Sequence, residues 1–162
     1  MKGVVIEMKI GEIAEFIVKE YPDSSVASCG IDPSDFKNEY CEDMLVSYLM
    51  DFFAFEVLNM CGCGVPENTY EVIRRVLNIR NEWSEDKLSY EDVQEKYKSE
   101  LRVDTDMSID YGLLQFMLYA LDSAGLLEHG SSIGGCWLSS LGKMYLTVLN
   151  AWRKIEDTEN EE

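Results

Sequence analysis

Histidine is almost missing from this sequence, where His129 stands alone. A single imidazole leaves little material for the metal sites and proton relays that histidines usually build. Proline is scarce as well, with three in 162 residues, so segments of periodic hydrophobicity can run the length of ordinary helices. Long apolar runs are absent. The most hydrophobic part, Leu45 to Met60, is interrupted by Asp51 and Glu56 and falls short of the roughly 20 apolar residues of a membrane span. Met1 to Lys9 holds only the short run Val4 to Ile6 with no cleavage site after it, so no secretory signal is read there. A cytoplasmic protein without membrane contact is the expectation.

Positive charge is the other deficit. Fourteen basic residues face 31 acidic ones, for a formal charge of -17. Such a surface repels phosphates, which makes free DNA or RNA a poor partner and a basic protein a good one. The five cysteines are odd in number and irregular in spacing, which excludes a disulfide framework in a reducing compartment. Cys61-Gly62-Cys63 lacks the spacing of a zinc knuckle and has no second pair nearby, so no metal is expected. The glycine stretch Gly130 to Gly135 carries no phosphate-loop pattern, and no cofactor is expected. His129 has Glu128 as its only neighbouring partner, a poor start for general-base chemistry. An enzyme is therefore the least supported class.

What is present is helical patterning. Ile10, Ile13, Phe16, Ile17 and Tyr21 predict a first helix over 8–21, followed by a loop from Asp23 to Asp32. Pro33, Ser34 and Asp35 open a second helix with Phe36, Tyr40, Met44, Tyr48 and Phe52 along one stripe, ending near Met60 before Gly62 and Gly64. A third runs from Pro66 to Trp83, with Val72, Ile73, Val76, Leu77 and Ile79 inward and Arg74, Arg75 and Arg80 as the densest positive charge. Ser89 with Asp92 resembles a capping box at the start of a fourth helix, Tyr90 to Leu101. A fifth, Ser108 to Ala124, is apolar nearly all round and must be buried or sit in an interface. Two short strands, Leu126 to Glu128 and Cys136 to Leu138, flank the glycine turn. A last helix runs from Ser139 to about Lys154, ahead of an acidic tail.

The order of helix, Ala124-Gly125-Leu126-Leu127, glycine-rich hairpin, Trp137-Leu138-Ser139-Ser140-Leu141-Gly142-Lys143 and helix resembles the winged helix-turn-helix family. The resemblance covers roughly residues 66 to 153. It implies a mainly α fold: a helical bundle with a C-terminal winged-helix-like unit containing a short two-stranded hairpin. The corresponding division is 1–64 as an N-terminal helical region, 65–154 as the winged-helix-like region and 155–162 as the tail, within one compact unit. In DNA-binding members the helix before the wing presents Arg, Lys, Asn or Gln to the bases. Here that helix has Gln115 and no Lys or Arg, and Lys143 is the only basic residue between Val103 and Ala151. In its general type the chain is similar to small acidic accessory proteins of phages and mobile elements, such as anti-CRISPR and anti-restriction proteins.

The leading expectation is an inhibitor of phage or mobile-element origin, working in the cytoplasm of the host. It would bind a basic, nucleic-acid-handling defence enzyme, a CRISPR nuclease or a restriction enzyme, with carboxylates standing in for nucleic-acid phosphates as one way of doing so. The partner-binding candidates are Glu39, Glu42, Asp43, Glu85, Asp86, Glu91, Asp92 and Glu95, acids on outward helix faces able to pair with Lys and Arg. Two alternatives stand beside it. One is a winged-helix regulator, in which Arg74, Arg75 and Arg80 hold phosphates. The other is a homodimeric assembly protein that uses the apolar fifth helix.

Overall fold

The computed structural model describes residues 7–30, 32, 39–60 and 65–161, with the side chains of 39–41 outside the description. Pro33 to Phe36, read as the opening of the second helix, lie outside the described residues, as do Cys61 and Cys63. The described chain is mainly helical, with one small two-stranded antiparallel sheet towards the C-terminus. It divides into two compact units: Met1–Asn59 with Thr147–Glu162, and Met60–Leu146.

The first unit begins with α1, Ile10–Glu20, whose Ile10, Ile13, Ala14 and Ile17 are buried at helical spacing. The expected loop after it contains a short helix, α2, Ser25–Ser28. Its cap explains why: buried Ser24 accepts the Ala27 N–H at 3.3 Å, replacing one unmet helix-end bond. Helix α3, Glu39–Asp51, packs against α1 and buries Leu45, Val46, Leu49 and Met50. The expected continuation to Met60 does not stay α. Phe52–Val57 winds as a π-helix, with the Leu58 N–H reaching back to the Phe53 carbonyl at 2.9 Å. Phe52, Phe53 and Ala54 are all buried. A π turn advances by a smaller angle per residue, so three successive side chains can face inward. Tyr21 and Phe53 both meet Phe52 edge-to-face at 5.2 Å. Glu56 accepts from the backbone N–H and the hydroxyl of Ser25, tying the π stretch to α2.

The second unit contains α4, Glu67–Ser84, α5, Tyr90–Leu101, and α6, Ser108–Ser123. The capping box at α5 is formed: Ser89 Oγ accepts the Asp92 N–H at 3.2 Å, and Asp92 accepts the Ser89 N–H at 3.1 Å. Strands β1, Leu127–Glu128, and β2, Trp137–Leu138, pair with Leu127 opposite Leu138 and Glu128 opposite Trp137. The hairpin packs on α4 through β2 and on α6 through β1. Leu77, Ile79, Tyr97, Leu118, Leu126 and Tyr145 form the fully buried centre. Val72, expected inward on α4, is 38% exposed.

The last helix, α7, Ser140–Asn160, contributes to both units and continues past the expected end near Lys154. Its tail section is held by Arg153 with Asp157 at 3.0 Å, and by the Thr158 hydroxyl donating to the Lys154 carbonyl at 2.9 Å. At its start, Ser139 Oγ accepts the Gly142 N–H at 3.0 Å and donates to the Gly125 carbonyl at 2.6 Å. A Cβ on Gly142 would collide with the Leu126 carbonyl. The Ser139 to Gly142 spacing is thus both a helix cap and the site of close backbone contact that locks the hairpin to α7.

Candidate protein-binding surfaces

The first unit holds a groove of about 750 Å³ between α1, α3 and the C-terminal part of α7. Its rim carries Glu7 from the segment before α1, Glu12 and Glu15 from α1, Glu42 and Asp43 from α3, and Glu159 from α7. All six are exposed. Among the described residues, Lys9 and Lys154 are its only basic lining residues, so negative charge predominates there. The floor is apolar, with Ile10 and Val46 turned towards the core. Helical spacing accounts for the arrangement. Glu12 and Glu15 are three apart and share a side of α1 next to the buried stripe, while Glu42 and Asp43 precede Val46 by one turn on α3.

The sequence-predicted partner residues divide between the two units. Glu42 and Asp43 belong to the groove, and the side chain of Glu39 lies outside the described residues. The other five sit at the α4–α5 corner of the second unit. Glu91 and Glu95 are exposed on α5. Asp86 is exposed in the turn, with a left-handed φ of 59°. Asp92 is exposed but occupied by the capping box, and its hydrogen bonds to the Ser89 backbone and hydroxyl pull its carboxyl below the usual range. Glu85 is half-buried, accepting from Asn81 at 3.2 Å and from Lys87 at 2.6 Å. The corner therefore presents fewer free carboxylates than its sequence suggests. Four residues of the groove, Glu7, Glu12, Glu15 and Glu159, were not on the sequence-derived roster. The regular spacing of Glu12 and Glu15 was a readable signal; the convergence of Glu159 with them was not.

The arginines of α4 are engaged inside the second unit. Arg80 is buried and directs its guanidinium at neutral oxygens: the Cys136 carbonyl at 2.8 and 3.1 Å, the Gly134 carbonyl at 3.0 Å and the Tyr97 hydroxyl at 3.3 Å. It also lies 5.8 Å from the Trp83 ring. Burial raises the Tyr97 hydroxyl and the Cys136 thiol above their ordinary ranges, with the Arg80 charge opposing in both. Both groups stay neutral near pH 7. Arg74 and Arg75 converge on Glu71, at 2.7 and 2.9 Å, and the Arg74 hydrogen bond leads in pulling the Glu71 carboxyl down to about 2. Arg80 is thus withdrawn from the surface, and the other two are already partnered by a carboxylate.

His129 lies 3.5 Å from Asp122, and its Nδ1 is 2.8 Å from the Gly130 carbonyl. Cys29 and Cys136 are free thiols. Among the described residues no cluster of His, Cys, Asp and Glu is placed to hold a metal ion, and no helix is long and apolar enough to cross a membrane.

No protein-family model, no curated protein and no solved structure matches this chain.

Proposed function

We propose that this chain is a binding protein whose acidic groove takes a lysine- and arginine-rich element of another protein. Its targets, on this reading, are basic enzymes that handle nucleic acid, of the CRISPR-nuclease or restriction type, which it would inhibit by occupying surface that otherwise meets phosphates. The observation that carries the reading is the convergence of carboxylates from three helical segments on one groove. Charge of one sign focused in a concavity attracts its complement over distances of about a Debye length, roughly 10 Å at 0.1 M salt. The apolar floor gives the aliphatic stems of Lys and Arg something to cover once the charged ends pair with the rim. The engaged arginines of α4, and an outward face of α6 that lacks Lys and Arg, favour protein over DNA as the partner even if the second unit is of winged-helix type.

The test begins with capture of partners at low and at moderate salt, followed by affinity measurements on the captured protein. Glu12→Lys combined with Glu42→Lys is expected to weaken binding by at least tenfold and to flatten its salt dependence. Glu91→Lys with Glu95→Lys changes net charge equally but leaves the groove intact, and is expected to have a much smaller effect. Equal losses in the two double variants would show that bulk charge, not the groove, does the binding.

A further inference from the structure

Helix α6 carries a second surface of the opposite character. Leu114, Leu118 and Leu121 face the core and are buried. On the other side lie Ile109, Gly112, Leu113, Phe116, Tyr119, Ala120 and Ser123, at spacings that share one helical face. Ile109 is 76% exposed, Phe116 74%, Leu113 62% and Tyr119 52%. The two acids of the helix, Asp110 and Asp122, fall on its flanks and are half-buried. A chain of net charge -17 therefore keeps a whole helix face free of charge.

The area is of a size that often marks an association site. With large side chains presenting roughly 150–250 Å² each, these four leave on the order of 500 Å² of apolar surface in water, near the upper end of what monomers expose. Covering such a face on two copies removes on the order of 1,000 Å², about the threshold for a specific protein interface.

We propose that two copies of this chain associate through α6, packed antiparallel about a two-fold axis beside Phe116. The residue pattern is self-complementary in that arrangement. Ile109 faces Ser123 of the other copy, Leu113 faces Tyr119, and Gly112 faces Ala120, so the small pair leaves room for the two Phe116 rings at the centre. A basic partner of the kind suited to the groove gains nothing here, because the face offers it no carboxylate. A second copy meets a surface that is apolar and uncharged like its own, and the like charges of the two molecules stay off the interface.

Salt separates this association from groove binding. Screening lessens repulsion between two chains of the same sign, so the dimer strengthens as salt rises, whereas the complex with a basic protein weakens. The experiment is sedimentation equilibrium of the full chain across concentration at low and high salt. The expected species has twice the 18.6 kDa of one chain, with a larger dimer fraction at high salt. Phe116→Glu is expected to weaken association by roughly 30- to 100-fold, as a central interface residue does. Its melting temperature at low protein concentration should stay unchanged, because the side chain is exposed. Gly112→Gln is a second probe. A Cβ there meets open space within one chain, so the monomer keeps its fold while the close approach at the axis is blocked. A chain that stays monomeric at near-millimolar concentration in high salt, or a dimer that survives both substitutions, would overturn the proposal.

Discussion

The two units dispose of charge in opposite ways. The first keeps an ordinary interior of Ile13, Ile17, Leu49, Phe52 and Phe53 and displays its carboxylates around a groove. The second places a guanidinium inside, at Arg80, and leaves phenylalanine, leucine and isoleucine outside on α6. A buried cation needs hydrogen-bond acceptors, and each guanidinium nitrogen of Arg80 finds one in the Gly134 and Cys136 carbonyls or the Tyr97 hydroxyl rather than in an acid. The turn from Gly130 to Gly135 has few side chains with which to pack. The arginine supplies from α4 the hydrogen bonds that fix its shape. The contrast teaches that net charge is a poor guide to single surfaces. A value of -17 coexists with an inward arginine and an uncharged outer helix face, and each does a different job.

The largest expected effect breaks this contrast at its centre. Arg80→Met removes the charge but leaves two carbonyls and the Tyr97 hydroxyl short of a donor, and is expected to cost about 3–4 kcal/mol. Denaturant melts would measure it, and a near-neutral result would mean that the turn holds itself. Gly142→Ala comes next. Its methyl group must push the Leu126 backbone away from α7, for an expected loss of about 2–3 kcal/mol by the same melts. The control is Gly125→Ala, where open space surrounds the added Cβ but the φ of 81° is strained. A smaller loss there, about 1 kcal/mol, would separate collision from backbone strain.

A smaller effect than that of Gly142→Ala sharpens the account of the surface arginines. Glu71 has its carboxyl lowered to about 2 by the Arg74 and Arg75 side chains. A folded value below the unfolded one stabilises above the ordinary carboxylate range, and that contribution is lost as pH falls from about 4.5 towards 2. The triad is partly exposed, so Glu71→Gln is expected to cost only about 1–2 kcal/mol at pH 7. The gap between wild type and variant should narrow below pH 4 in melts that follow stability against pH. A gap independent of pH would assign the loss to packing instead.

Much of the fold was legible because its signals are local. Helices α1, α4, α5 and α6 follow from apolar spacing, the α5 cap from Ser89 and Asp92, and the hairpin from its glycines. Where expectation and structure part, a tertiary contact decides. Ser25 to Ser28 has almost no apolar pattern, and becomes helical through the Ser24 cap and its bonds to Glu56. Arg80 looks like surface by residue type, and only the arrival of the Gly134 and Cys136 carbonyls, 54 and 56 positions later, makes it interior. The groove shows the same limit. Glu12 and Glu42 could each be placed on a helix side from sequence, but Glu159 joins them only because α7 continues past Lys154. Helix α6 was readable as apolar all round; which half the core would use depended on where the hairpin packed.

The π stretch at Phe52–Val57 also bears on chain length. An α-helix steps about 100° per residue, so a one-residue change inside it normally turns every later side chain to a new bearing. A π segment behaves as a helix that has absorbed an inserted residue and kept its hydrogen bonds. Side chains up to Asp51 and those at the end of the π stretch, Glu56 and Val57, therefore run in different phases. Removing a single residue between them would return the helix to one phase, release Glu56 from Ser25 and redirect the stretch to Leu58. Among sequences descended from a common ancestor with this one, a one-residue gap at this point would mark the lineages in which α2 has lost its anchor.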